Sequence, residues 1–196
     1  MVHNRKISLC LSVCINISMK VTSNDIRANF NSYAEQITHV AVGHTHFRPA
    51  NCDENQIGRM VEAARKQVHY FRRCFNQFLY SAKSHRKPEL YTPLMLTTME
   101  GANGNTLQDR TIHFHFSLGN IPGALTTDDL RQVFRHCWVE KAGLSEIGLW
   151  LRDRHDQGIQ GWNNYITKEA ERGNIGTWDF ENSQIPHAAF ANGQRT

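Results

Sequence analysis

Apolar residues between positions 53 and 84 recur at three- and four-residue intervals: Ile57, Met60, Val61, Ala64, Val68, Phe71, Phe75, Phe78 and Leu79. That period predicts one long amphipathic helix, with Pro88 closing the region. Upstream, Ser23-Asn24-Asp25 supplies N-cap residues for a short helix to about Glu35, and the β-branched run 38–47 reads as a strand ending at Pro49. Downstream, 91–100 and 111–118 read as two strands joined by a turn-rich loop from Gly101, which makes an antiparallel hairpin. Thr126-Thr127-Asp128-Asp129 caps a helix ending near Gly143, with Leu130, Val133, Phe134 and Cys137 on its apolar side. A strand at 147–152 and a helix at 162–172, stopped by Gly173-Asn174, complete the pattern.

After the first helix the order is β-α-β-β-α-β-α. Its first six elements are those of the split βαβ, ferredoxin-like arrangement, an α+β fold with an antiparallel sheet. Both helices are expected on one face, leaving the other free to carry a site. No internal repeat or second domain is visible. The chain divides into an N-terminal extension at 1–22, one domain at 23–175 and a C-terminal tail at 176–196 that includes Trp178 and Phe180.

Composition changes this picture little. With 196 residues, 40% of them hydrophobic, the chain can bury one full core. A formal charge of +4 permits a polyanionic partner without requiring one. The five cysteines (Cys10, Cys14, Cys52, Cys74, Cys137) are scattered without a CxxC pair, so they read as reduced thiols in a cytoplasm-like compartment. The apolar run 7–19 follows Arg5-Lys6, is interrupted by Asn16 and Ser18, and is too short to span a bilayer; no membrane partner is expected.

Candidate chemistry concentrates in two places. Alternation along 111–118 puts His113, His115 and Ser117 on one strand face and Ile112, Phe114, Phe116 and Leu118 on the core side. Two imidazoles about 7 Å apart on one strand can reach a single divalent ion. An exposed polar face that holds two of the eleven histidines is the plainer alternative. Glu100, at the end of the preceding strand, would add a carboxylate and make a set suited to Mg²⁺ or Mn²⁺. On the last helix, Tyr165 and Lys168 stand at i and i+3 and share a face. A phenol beside a cation can act as a nucleophile, although the same spacing also describes an ordinary amphipathic helix with a snorkelling lysine. The long helix and its tail carry Arg59, Arg65, Lys66, Arg72, Arg73, Lys83, Arg86 and Lys87 among the aromatics Tyr70 and Tyr80. That stripe is either a DNA-tracking surface, with Arg65, Lys66, Arg72, Arg73 and Lys83 the named candidates, or a solvated helix face.

In this order, the motifs resemble those of the HUH endonuclease superfamily, in particular rolling-circle replication initiators (Rep proteins) with one catalytic tyrosine. The strand at 38–47 takes the place of the first motif, His113-Phe114-His115 the second, and Tyr165-Ile166-Thr167-Lys168 the third. The resemblance covers roughly 38–172 and implies a ferredoxin-like core. It also implies that Glu100, His113 and His115 hold Mn²⁺ or Mg²⁺ while Tyr165 attacks single-stranded DNA and keeps the 5′ phosphate. Lys168 would steady the phosphate, tune Tyr165 or order the metal site. The implied setting is a plasmid, phage, virus or other mobile element, in the cytoplasm of a prokaryotic host or the nucleus of a eukaryotic one. No GxxxxGK[ST] loop is present, so unwinding is expected from a separate helicase or another part of a longer chain. Competing readings are an HUH transposase, whose helix usually carries histidine or glutamine instead of this lysine, and a two-histidine phosphoesterase, for which His115-Phe116-Ser117-Leu118 supplies only one of two motifs. A nucleic-acid-binding domain without catalysis is the remaining alternative.

Overall fold

A computed structural model describes residues 22–102, 111–154, 158–171 and 174–187. Most of the expected N-terminal extension, the hairpin loop at 103–110, the end of the last helix at Arg172 and the tail beyond 187 lie outside the described residues.

Helix α1 (Ser23–Ser32) is capped by Thr22, whose hydroxyl and Asp25 form a reciprocal capping box. Strand β1 (Ile37–His44) follows. Helix α2 (Glu54–Tyr80) starts from a second box, Asp53 with Gln56, and turns Ala64, Val68, Phe71 and Phe75 inward. It is shorter than the pattern predicts: Ser81 adopts φ 53, a left-handed geometry that ends the helix, and a separate turn α3 (Lys83–Arg86) follows. Strand β2 (Leu94–Glu100) begins after Pro93, which has no N–H for the ladder, and not at Tyr91. Strand β3 (His113–Gly119) leads to α4 (Thr127–Arg135), capped by Thr126 and Asp129. The chain then widens into a π turn, His136–Lys141, before β4 (Ser145–Asp153).

The sheet order is β2-β3-β1-β4, with every neighbouring pair antiparallel. This is an α+β fold whose strand order is that of the split βαβ arrangement. One face packs beneath α2 and α4. There Phe71 lies 5.6 Å from Phe116, 4.8 Å from Phe134 and 5.1 Å from Trp138, ring centre to ring centre. Gly43 has to be glycine at this point, because a Cβ would stand 2.5 Å from the Trp138 ring.

The second face is not bare, as the pattern had suggested. A second apolar cluster joins Val40, Val42 and Leu96 of the sheet to Phe30 of α1, Trp162 and Ile166 of α5 (Ile159–Ile166), Ala170 of α6 (Lys168–Glu171) and Trp178. The segment expected as a tail runs along β2, where Met95 and Gln184 exchange backbone hydrogen bonds of 2.9 and 2.8 Å. No helix among the described residues is long and apolar enough to cross a membrane.

Phe71→Ala should cost about 3–5 kcal/mol of unfolding free energy, since it empties the centre of the α2 core. Tyr70→Ala, at a side chain 49% exposed on the same helix, should change stability by less than about 0.5 kcal/mol. Urea denaturation of the two variants beside the parent checks the contrast.

Candidate active site

Strand register assembles the acidic and imidazole groups. The β2–β3 pairing sets Glu100 opposite His113 and Thr98 opposite His115, while the β1–β3 pairing sets His44 opposite His113 from the other side. Glu100 Oε1 lies 3.4 Å from His115 Nε2, and Glu100 Oε2 lies 3.6 Å from His113 Nε2. One ligand atom from each of Glu100, His113 and His115 falls within 4.8 Å of the others, so the group can hold a metal ion.

The state of these atoms supports that capacity. Glu100 Oε1 and both ring nitrogens of His115 are buried without a hydrogen-bond partner, and a cation held at Oε1 and Nε2 would relieve two of these three atoms. His113 Nδ1 is 3.0 Å from the Thr111 carbonyl oxygen. A carbonyl only accepts, so Nδ1 carries a proton, and Nε2 is the ring atom turned toward Glu100. Burial would raise the Glu100 carboxyl, but the facing His113 and His115 rings and the Lys168 ammonium outweigh it and hold the group well below the usual carboxylate range. Burial pushes His115 down, against the opposing pull of Glu100, and so favours the neutral ring that a metal needs.

Ser117, the third polar residue of the β3 face, anchors the helix that carries the tyrosine: Trp162 Nε1 donates to Ser117 Oγ at 3.0 Å. Tyr165 follows one turn later, 49% exposed, with its ring edge-on to His115 at 5.4 Å. The expected single helix at 162–172 is broken at Thr167. Its hydroxyl donates to the Asn163 carbonyl at 2.7 Å, bending the chain so that Lys168 opens α6. Lys168 Nζ nevertheless lies 3.7 Å from the Tyr165 ring centre and 3.1 Å from Glu100 Oε2, bridging the phenol and the carboxylate.

Tyr165, Lys168, Glu100, His113 and His115 all line one cavity of about 1010 Å³. Arg48 and Arg152 add positive charge to its wall, and among the described residues Glu100 is the single carboxylate there. No known family model, curated protein or solved structure matches this chain. The site's chemistry therefore rests on its geometry.

The predicted basic stripe of α2 is elsewhere. Its helix covers the opposite face of the sheet, and none of the five named residues lines the cavity. Arg65 donates to the Gly176 carbonyl and lies 3.7 Å from Asp179; Arg72 donates to the Glu181 carbonyl at 2.6 Å, so both clasp the segment beside β2. Lys66 pairs with Glu62, Lys83 sits over the Tyr91 ring, and Arg73 borders a separate cavity of about 400 Å³.

Sequence reasoning missed His44. It stacks on His113 with ring centres 4.9 Å apart, and its Nδ1 pairs with Thr111 Oγ1 at 2.8 Å. Its signal was the alternation of Val40, Val42 and His44 in β1, which puts all three on the face of the imidazoles. Gly148 makes room for it: a Cβ there would come within 2.7 Å of the His44 ring, and φ +77 suits glycine. Burial, helped by His113 and His115, lowers His44 to about 4.

Two outcomes follow for the isolated protein. Mn²⁺ at about a hundredfold excess over its Kd should add ~2.7 kcal/mol to unfolding stability, and Glu100→Gln or His115→Ala should remove that gain in thermal melts. Without metal, in EDTA, stability should fall as pH drops from 6.5 to about 4. The unfolded chain binds the His44 proton more readily across that window, so His44→Gln should show a shallower slope.

Proposed function

We propose that this protein nicks and rejoins single-stranded DNA as a Rep-like HUH endonuclease, with Tyr165 as its nucleophile. The carrying observation is convergence: a carboxylate, two imidazoles, a half-exposed phenol and a lysine from three separate parts of the chain meet in one cationic cavity. A structural histidine pair would not need an accessible tyrosine beside it, and a simple binding cleft would not need buried unpartnered ligand atoms.

Glu100, His113 and His115 are the residues that would hold a divalent ion, Mn²⁺ or Mg²⁺, which supplies polarisation of a phosphate oxygen when bound. Tyr165 attacks the phosphorus of the scissile phosphodiester; a Tyr165 Oη–P bond forms as the P–O3′ bond breaks. The proton lost by the phenol is matched by the one the departing 3′ oxygen takes up, so the products are a 5′-phosphotyrosine and a free 3′ hydroxyl. Because one phosphoester replaces another, a later 3′ hydroxyl can reverse the step and join strands. Lys168 pairs with Glu100 and holds a positive charge over the Tyr165 ring, where it would meet an incoming phosphate. A lysine in this place, in contact with the carboxylate, supports the replication-initiator reading over the transposase one. Initiation of rolling-circle replication of a mobile element, with a separate helicase for unwinding, is the corresponding role.

A denaturing protein gel after incubation with a pool of labelled single-stranded oligonucleotides and Mn²⁺ tests this reading. The expected result is a labelled, shifted protein band that disappears with EDTA and falls roughly a thousandfold or more in Tyr165→Phe. Cleavage without an attached label would remove Tyr165 from the chemistry.

A further inference from the structure

The cavity wall away from Tyr165 holds groups that the nicking step does not use. On β4, Leu149 and Leu151 face the α2 core, and alternation turns Trp150 and Arg152 toward the cavity. The Arg152 guanidinium lies over the Trp150 ring, 4.2 Å from its centre. Trp150 meets Trp162 edge-on at 5.6 Å, and Trp162 is stacked at 6.0 Å with Tyr165. An aromatic row thus runs from the edge strand to the nucleophile.

We propose that Trp150 and Arg152 form a nucleobase subsite, stacking a base of the strand whose phosphate reaches Tyr165; this rests on the DNA-nicking reading above. The alternative is a tryptophan that finishes the second core beneath a snorkelling arginine. Two observations favour a ligand. Arg131 and Arg135, which approach the same strand, each pair with a carboxylate (Asp128; Glu140 and Glu146), whereas Arg152 pairs with none among the described residues. Trp150 is also only partly buried, beside a cavity far larger than one side chain. An indole carrying a guanidinium offers a flat face for any base and a charge for the adjoining phosphate, which are the two demands of a single strand. The stacking is indifferent to base identity, so this subsite contributes hold on the strand and leaves sequence choice to other contacts.

The test measures binding of fluorescent oligo-dT, and of an abasic oligonucleotide of equal length, by anisotropy in EDTA. Adduct formation on the labelled pool with Mn²⁺ is followed in parallel. Trp150→Leu, which keeps apolar bulk, should bind oligo-dT roughly 5- to 150-fold more weakly and the abasic strand unchanged, and Trp150→Phe should restore most of the loss. Arg152→Gln should weaken both strands and flatten the salt dependence by about one counterion. Equal oligo-dT binding by Trp150→Leu and parent, or equal losses on both strands, overturns the subsite. If that result comes with intact adduct formation by the parent, the nicking reading stands without it. Selective loss on oligo-dT with no adduct from the parent supports the subsite and overturns the nicking chemistry. Failure of the parent to bind either strand overturns the subsite, and if the pool also gives no adduct it overturns the nicking reading as well.

Discussion

The hydrogen-bonded register of β3 between β1 and β2 holds the molecule's two halves in relation to each other. Shifting either pairing by one residue would turn the His113–His115 face into the phenylalanine core and leave Glu100 facing the wrong side. The register is therefore defended by burial: Phe114, Phe116 and Leu118 are fully enclosed by α2, α4 and the π turn, and no slipped pairing could fill that space. The polar face is carried along by this constraint. Its imidazoles are placed by the core behind them, with little help from their own contacts.

What those imidazoles face is an electrostatic balance that is incomplete in the protein alone. Burial works against the Glu100 carboxylate, and the His113 and His115 rings with the Lys168 ammonium hold it ionised, yet one of its oxygens and both His115 nitrogens stay without hydrogen bonds. Polar atoms left this way cost stability, and here three of them lie within one group of potential metal ligands. Lys168 lies 3.1 Å from Glu100 Oε2, so any ion held by that oxygen would have to share it with the ammonium.

Most of the architecture was legible because its signals are local. The Thr126–Asp129 cap, the helical period of α2 and the two-residue period of β3 each involve neighbours in sequence, and together they yield the α+β order and the pairing of Glu100 with the His113 strand. The remainder depended on contacts between distant segments. His44 looks like any strand residue until β3 lies beside it, and Trp150 and Arg152 acquire significance only where β4 borders the cavity. Arg65 and Arg72 of α2 show the same dependence: each reaches a backbone carbonyl more than a hundred residues away, at Gly176 and Glu181, which no local pattern discloses. Packing of α1, α5 and Trp178 on the second sheet face was hidden because the two helices contribute only two or three apolar residues each and Trp178 stands singly, too few to form a period.

The break at Thr167 separates two functions that a continuous helix would have fused. The short helix bearing Tyr165 is moored to the sheet through Trp162 and Ser117, while Lys168 is moored to β2 through Glu100. The phenol and the ammonium thus hang from different strands, yet they touch, with Lys168 Nζ 3.7 Å from the Tyr165 ring centre. Loss of the Trp162–Ser117 bond loosens the phenol first, and loss of the Glu100 contact loosens the ammonium first.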